Sequence, residues 1–269
     1  MKPVTVVGYS AYGIASFWLA SYNLKSYMEA PLKMGVYPDI VLDDVKLSIQ
    51  LSTLNEEEWV EMTCESIIKQ PLYQKYHPER IEFVLIDSHS EDRTIEIASQ
   101  YVDNVIESPR GLFTARNIGA KSTDADIIVT IDAAQIYPLG WLNLLLRHFS
   151  DENIIAVTGA KLVPKTANIF HAISNLWGNQ ILNHMWGDNS AIRRDAWLIS
   201  GGWREDINQQ SFKETFQEEF DFFKRLKGIG KVVKDIQAVS CDLRTRFGCN
   251  GGGEEIAQYC EMIRVGERF

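Results

Sequence analysis

Between residues 46 and 162 the chain alternates short apolar strands with amphipathic helices. This alternation constrains the fold more than any other feature, because a strand, a helix and a second strand in succession form a parallel sheet covered by helices. We therefore expect an α/β fold with a mostly parallel, Rossmann-like sheet flanked by helices. The predicted strands are 45–51, 81–86, 105–106, 127–131 and 154–162, and the predicted helices are 56–70, 93–101, 114–121 and 141–149.

Beyond residue 162 the pattern is less regular. A polar and aromatic stretch at 168–185 precedes a predicted helix at 216–227, a predicted strand at 232–239 and a glycine-rich run at 248–253, which is either a mobile lid or an exposed linker. Ligands of open parallel sheets bind beyond the carboxyl ends of the strands. The first half therefore resembles a nucleotide-binding unit, and the second half is expected to face another substrate.

The charge balance excludes one class of partner. The chain has 27 Lys and Arg against 36 Asp and Glu, which gives a net charge of −9 at pH 7. An acidic protein has no general attraction for a phosphate polymer, so any bound phosphate must be held by a local cluster of donors. We expect no binding to nucleic acid.

The N-terminal segment raises the question of a membrane. Residues 3–23 carry no charge, but glycines and serines interrupt the apolar run, which is a poor match to a spanning helix or a secretory signal. A packed or loosely docked appendage is the preferred interpretation, and an interfacial anchor within residues 1–30 is the main alternative. The four cysteines show no metal or disulfide spacing, so we expect free thiols and a cytoplasmic protein, with membrane-surface association left open.

Acidic residues follow three of the predicted strands. A carboxylate at such a place can accept hydrogen bonds from a nucleobase or ribose, or can hold a divalent cation, and the alternative is capping of the next helix. We favour capping for Asp92 and ligand contact for Asp87, which follows an apolar strand directly.

A series of motifs in this order resembles the family 2 glycosyltransferases of the GT-A fold, which are inverting enzymes that use nucleotide sugars. The resemblance covers about residues 46–235, and no single motif would be specific without the others. The motifs are Ser52-Thr53-Leu54-Asn55-Glu56-Glu57, Leu85-Ile86-Asp87-Ser88, Ala115-Arg116-Asn117-Ile118-Gly119-Ala120, Ile131-Asp132-Ala133, Gly187-Asp188-Asn189, Gly201-Gly202-Trp203 and Glu218-Glu219-Phe220-Asp221.

With this resemblance the chain divides into an appendage of unknown role at 1–45, a GT-A domain at 46–245 and a glycine-rich tail at 246–269. Within the GT-A domain, 46–135 is the nucleotide-binding half and 136–245 is the acceptor-binding half. The resemblance also implies roles for single residues. Uridine would be held by Thr53, Asn55 or Glu56 and by Asp87, the nucleotide by Arg116, and the ribose and a metal by Asp132.

The Asp-x-Asp motif of the family is incomplete here, because Ala134 replaces its second acid. A divalent cation, Mn²⁺ or Mg²⁺, wants oxygen ligands on the leaving diphosphate. Asp132 could act as a single anchor, aided by Gln135 or by a residue of the second half. Alternatively, arginines replace the metal, since their fork matches phosphate oxygens, or remain solvated on the surface. The candidate arginines are Arg193, Arg194, Arg244 and Arg246.

The resemblance places the catalytic base at Glu219, with Glu218 as the alternative. The non-catalytic interpretation is that the two acids are structural or solvated. Trp203 is predicted either to contact the acceptor or to pack in the core. The expected function is hexosyl or N-acetylhexosaminyl transfer from a UDP-sugar to a hydroxyl of a glycan or glycoconjugate. The alternatives are a nucleotide-sugar-binding protein with little or no catalysis and, last, a nucleotidyltransferase, whose basic phosphate loop is missing at 52–58.

Overall fold

The computed structural model describes residues 37–162, 185–206 and 212–243. Within them one eight-stranded mixed sheet has the strand order β3-β2-β1-β4-β7-β6-β8-β5. The strands are β1 Leu47–Thr53, β2 Ile81–Asp87, β3 Asn104–Glu107, β4 Ile127–Asp132, β5 Gln135–Ile136, β6 Ile154–Leu162, β7 Asn189–Arg193 and β8 Lys231–Asp242. The α/β fold class with helices flanking a sheet is confirmed.

Strands β1 to β4 form a parallel block that aligns their carboxyl ends. Thr53 of β1 pairs with Asp87 of β2, and Ser52 pairs with Asp132 of β4. The two acids that follow apolar strands therefore flank the end of β1 at one edge of the sheet. This register results from the crossover helices, which return each strand in the same direction.

The second half joins this block through an antiparallel strand. Strand β7 lies between β4 and β6 and runs antiparallel to both, while β6 and β8 are parallel. Short β5 pairs antiparallel with β8, with Gln135 opposite Asp242. The sequence pattern did not predict β5, which has two residues, or β7, whose five residues do not alternate between apolar and polar.

Five helices differ from the sequence prediction in their bounds, and the helices Pro71–Tyr76 and Arg194–Ser200 were not predicted. Pro71 ends the first predicted helix and begins a second, as expected for a residue that lacks an N–H but fits the first helical turn. The helices are α1 Val60–Ile68, α2 Pro71–Tyr76, α3 Thr94–Ala98, α4 Leu112–Ser122, α5 Trp141–Leu146, α6 Arg194–Ser200 and α7 Phe212–Lys227, with a 3₁₀ turn at Arg147–Ser150.

Alternate residues of the central strands bury against opposite faces of the sheet. In β4, Ile127, Val129 and Ile131 belong to one apolar cluster, whereas Ile128 belongs to a second cluster with Trp203. On the face of β1 that α4 covers, buried Gln50 donates a hydrogen bond to the carbonyl of Gly119, 2.8 Å away. The site residues below are thus attached to rigid elements on both sides.

Several predicted features lie outside the described residues. They are residues 1–36 of the appendage, the stretch 168–184, Arg244, Arg246 and the run 248–253. Among the helices that are described, none is long and apolar enough to span a bilayer.

Candidate active site

A cavity of about 210 Å³ opens at the carboxyl ends of β1 and β4. Three carboxylates line it, and no Lys, Arg or His is found among the described residues of its wall. The cavity therefore offers hydrogen-bond acceptors and negative charge. The lining residues are Ser52, Thr53, Leu54, Glu56, Ser88, Gly111, Leu112, Asp132, Ala133, Gln135 and Asp242.

At the β1–β2 end of the cavity, Asp87 lies behind the wall. It is fully buried and accepts hydrogen bonds from Thr53 Oγ1 at 2.9 Å, from the Ser90 N–H at 2.7 Å and from Ser90 Oγ at 2.5 Å. Its neighbours Thr53 and Ser88 reach the cavity instead. Asp87 fixes the shape of this end and does not itself line it.

The turn after β1 is held by the loop after β2. Asn55 adopts a φ of +55°, and its Oδ1 accepts the N–H of Glu91 at 2.8 Å. The N–H of Glu56 donates to Thr94 Oγ1 at 2.7 Å, and the Glu56 side chain is buried in the cavity wall. Asp92 accepts from the N–H of Thr94 at 3.0 Å, which agrees with its expected role at the start of α3.

Arg116 of α4 contacts Asp132, which lines the cavity. Its side chain is 2% exposed, and Nη2 donates to Asp132 Oδ1 at 2.8 Å. Nε and Nη1 have no hydrogen-bond partner within the described part of the chain. Burial opposes the charge of the guanidinium, but the acids Asp132, Glu219 and Asp188 outweigh it and raise the pKa of Arg116.

Glu219 of α7 lies on the other side of Arg116. Its Oε1 accepts the N–H of Gly187 at 3.0 Å, and the side chain is 7% exposed. A Cβ at Gly187 would collide with Arg116 Nη1, so only glycine allows Glu219, Arg116 and this turn to pack together. Burial, together with the charge of Asp188, raises the pKa of Glu219 to about 7, against the opposing charge of Arg116.

Glu218 points to a different part of the molecule, as the 100° rotation between successive helical residues requires. It accepts the N–H of Arg204 at 2.6 Å and a hydrogen bond from Arg225 Nη2 at 2.8 Å. Burial raises the pKa of Glu218. These contacts bind α7 to the loop after α6, so Glu218 has a structural place and Glu219 is the acid beside Arg116.

A buried group of charges that the sequence pattern did not indicate lies next to Gln135. Asp188 is 5% exposed and accepts hydrogen bonds from Lys161 and from Gln135 Nε2. Lys161 Nζ also lies 3.8 Å from Asp242. Despite its burial, the charge of Lys161 lowers the pKa of Asp188, which keeps the carboxylate ionised. A lysine inside the otherwise apolar strand at 154–162 was the available signal.

Ala134 does not face the cavity as an acid would have to. It has a φ of +57° and is buried in a small apolar cluster with Ile136, Cys241 and Leu243. No group of three or more His, Cys, Asp or Glu that could hold a metal is present among the described residues. However, Asp132 and Asp242 both line the cavity, and Mg²⁺-type ions are held by one or two carboxylates together with substrate phosphates. The donors present therefore fit a cation shared with a diphosphate.

Two predicted contacts are corrected by the structure. Arg193 pairs with Ile127 at the opposite end of β4 and donates to the carbonyls of Ile154 at 2.9 Å and Phe149 at 3.1 Å, so its prediction at the diphosphate is wrong. Trp203 is 2% exposed and stacks on Phe113 with ring centroids 5.2 Å apart. Its packing supports the core interpretation and leaves no face for an acceptor.

Comparison with known proteins places this arrangement in context. The family model described as "Glycosyl transferase family 2" matches residues 48–197. The chain is 28% identical over 212 residues to the probable glycosyltransferase YdaM of Bacillus subtilis, covering 69% of this chain and 49% of the relative. It is 27% identical over 168 residues to a hyaluronan synthase of Streptococcus pyogenes, covering 56% of this chain and 38% of the relative. The chain thus spans about half or less of the curated relatives it matches.

Two solved structures show the same fold. The mannosyltransferase PcManGT from Pyrobaculum calidifontis, in complex with GDP-Man and Mn²⁺, aligns with a TM-score of 0.62 at 17% identity over 90% of this chain and 68% of that one. Glucosyl-3-phosphoglycerate synthase from Mycobacterium tuberculosis, with Mn²⁺, UDP and phosphoglyceric acid, aligns with a TM-score of 0.55 at 17% identity over 87% of this chain and 84% of that one. Both are GT-A glycosyltransferases, and the GT-A fold of this chain is confirmed.

Proposed function

The chain belongs to glycosyltransferase family 2, and from that premise we propose that it moves a sugar from a nucleotide-sugar donor to a hydroxyl of a glycan or glycoconjugate. We propose UDP as the nucleotide and inversion at the anomeric carbon. The observation that carries the proposal is the position of Glu219. It shares the buried partner Arg116 with Asp132, which lines the cavity at the ends of β1 and β4.

The nucleoside would occupy the β1–β2 end of the cavity. Thr53, Glu56 and Ser88 line this end and carry acceptor oxygens that suit an imide N–H or ribose hydroxyls. In this proposal Asn55 and Asp87 act behind them as positioning residues. Their hydrogen bonds fix the two loops that carry the contacting groups.

The diphosphate would lie near Asp132, where the wall is acidic. Asp132 and Asp242 are the residues that would hold Mn²⁺ or Mg²⁺, and the ion would offset the negative charge that develops on the leaving diphosphate. Arg116 adds a second positive charge near the diphosphate, because its guanidinium bonds Asp132 on the side away from the cavity. No described residue of the cavity wall is basic, which supports a bound cation as the group that neutralises the diphosphate.

Glu219 is proposed as the general base. As the acceptor oxygen attacks the anomeric carbon, the bond from that carbon to the diphosphate oxygen breaks, and Glu219 takes the proton of the acceptor hydroxyl. A pKa of about 7 suits this role, because a base is most effective when its pKa is close to the working pH. The Gly187 N–H fixes one oxygen of the carboxylate.

The second candidate is a nucleotide-sugar-binding protein with weak or no catalysis. The observation that favours it is Ala134, which supplies no oxygen and is buried among apolar side chains. Under this proposal the cavity binds the donor, but the leaving group is poorly stabilised.

Release of free nucleotide from a panel of nucleotide sugars, with Mn²⁺ or with EDTA, tests the two proposals. The transferase predicts turnover by the wild type and a loss of at least about 100-fold in Glu219→Gln with donor binding retained. Glu152→Gln, an exposed acid in the turn before β6, is the control and should behave as the wild type. Donor binding without turnover on any acceptor tested would favour the binding protein, and failure to bind any nucleotide sugar would contradict both.

A further inference from the structure

We propose that Gln135 determines donor-sugar specificity, with its Oε1 accepting a hydrogen bond from a hydroxyl or amide N–H of the transferred sugar. This inference rests on the proposed function, because it assigns a role within the donor site. The observations that carry it are the fixed orientation of the Gln135 amide, its unmatched oxygen and its position between the cavity and the base.

The orientation of the amide is set by its neighbour. Gln135 Nε2 donates to Asp188 Oδ2, and an ionised carboxylate can only accept hydrogen bonds. Lys161 bonds the same oxygen of Asp188 and stabilises its negative charge. A flipped amide would place two acceptor oxygens against each other, so Oε1 must be the free end of the amide.

That free end has no partner. Gln135 is 2% exposed and lines the cavity, and Oε1 makes no hydrogen bond to the described residues. A buried acceptor without a donor is unfavourable, and a ligand that supplies the donor gains affinity. The diphosphate cannot serve, because its oxygens only accept, whereas sugar hydroxyls and an acetamido N–H can donate.

The position of Gln135 assigns this contact to the sugar. Residues 187 and 188 are consecutive in one turn, in which the Gly187 N–H bonds Glu219 and the Asp188 carboxylate bonds Gln135. The same turn therefore holds both the proposed base and the amide. Of the proposed nucleoside contacts, Thr53 ends β1 and Ser88 directly follows β2, and both lie beyond Asp132 of β4 in the order of the sheet.

Gln50 provides a matched control within the same fold. It is also a 2% exposed glutamine with a fixed Nε2, which bonds Gly119 O at 2.8 Å, and with a buried Oε1 that lacks a partner in the described chain. Its side chain packs under α4 and does not line the cavity. If Gln135→Met weakens ligand binding and Gln50→Met does not, the loss is due to a contact with the ligand and not to the general effect of removing a buried amide.

The test compares Gln135→Met and Gln50→Met by calorimetric titration with UDP and with the UDP-sugar that the wild type binds most tightly, both in saturating Mn²⁺. We expect Gln135→Met to bind the UDP-sugar about 10-fold more weakly, with UDP affinity changed less than twofold. Gln50→Met should leave both affinities unchanged. Equal weakening of UDP and UDP-sugar by Gln135→Met would overturn the inference, since it would indicate contact with the ribose or the cation.

A second measurement begins with the wild type, so its first result does not depend on the folding of a variant. Single deoxy or deacetamido analogues of the preferred UDP-sugar should include one that binds about 10-fold more weakly than the parent, and Gln135→Met should bind that analogue and the parent equally. If the wild type binds UDP-sugars but no analogue loses affinity, the inference fails while the proposed function stands. If the wild type binds no nucleotide sugar, the proposed function fails.

Discussion

Two polar clusters lie at the same edge of the sheet and differ in how completely the protein satisfies them. In the loop cluster, defined by Thr53, Asp87 and Ser90, both carboxylate oxygens of Asp87 accept hydrogen bonds from the protein. In the charged cluster, defined by Arg116, Asp132, Gln135, Lys161, Asp188 and Glu219, polar atoms of Arg116, Gln135 and Asp188 have no partner among the described residues. The first cluster is satisfied within the protein, whereas the second leaves polar atoms without a protein partner in the described chain.

The difference follows from the cost of burying polar groups. A buried donor or acceptor without a partner destabilises a fold by about 1–3 kcal/mol, so an unmatched atom beside a cavity is a candidate for ligand contact. The charged cluster holds four such atoms, on Arg116, Gln135 and Asp188, together with Glu219, whose pKa is raised, and its Gln135 lines the cavity. Such a combination is typical of a functional site. If the two clusters differ in this way, substitutions in the charged cluster will affect function and substitutions in the loop cluster will affect only stability.

The largest effect is expected for Arg116→Met, which removes the guanidinium of the charged cluster and keeps much of its volume. Asp132, Glu219 and Asp188 would lose the positive charge that opposes their own. We expect the free energy of unfolding to fall by about 3–5 kcal/mol, as for other broken buried ion pairs, and donor turnover to be lost. Urea unfolding and nucleotide release measure the two effects.

Arg116→Lys is the control for charge. It restores one positive charge but not the planar fork that reaches Asp132 Oδ1, so it should recover most of the stability and only part of the turnover. Full turnover in Arg116→Met would show that the charged cluster is a structural core and would remove the contrast between the two clusters.

The next effect concerns pH and Glu219, which faces Asp188, Arg116, Lys161 and the Gly187 N–H. Its folded pKa of about 7 exceeds the ordinary value of 4.5, so the folded state binds the proton more tightly than the unfolded state. The tighter binding of this proton stabilises the folded state by about 3 kcal/mol. This stabilisation is fully present below pH 4.5 and is lost as the pH rises through about 7. Turnover should rise over the same range, since the base must be ionised.

Urea unfolding of the wild type and Glu219→Gln between pH 4.5 and 8 isolates this contribution. The difference in unfolding free energy between the two proteins should change in favour of the variant as the pH rises. If the difference is independent of pH, Glu219 does not titrate in this range and its proposed role as a base near neutrality loses its support.

The loop cluster and the charged cluster also differ in how far the sequence predicted them. Strands β1, β2 and β4 were predictable because their apolar runs are local, and Asp87 and Asp132 directly follow two of them. The contacts Lys161–Asp188 and Gly187–Glu219 join residues 27 and 32 positions apart across irregular chain, so no local pattern indicates them. The error at Arg193 has the same origin, because only the antiparallel insertion of β7 shows that it lies at the far end of β4.

The smallest effect is expected for Asp87→Asn in the loop cluster. The amide can keep its oxygen toward the Ser90 N–H and turn its nitrogen toward the hydroxyls of Thr53 and Ser90, which can accept as well as donate. Only the strengthening due to the charge is lost, so the free energy of unfolding should fall by about 1–2 kcal/mol and UDP affinity should change less than about threefold. Unfolding in urea and UDP titration on the same samples check this. A loss of UDP affinity of tenfold or more at unchanged stability would mean that Asp87 turns toward the nucleoside when it binds, and then the loop cluster is also part of the binding site.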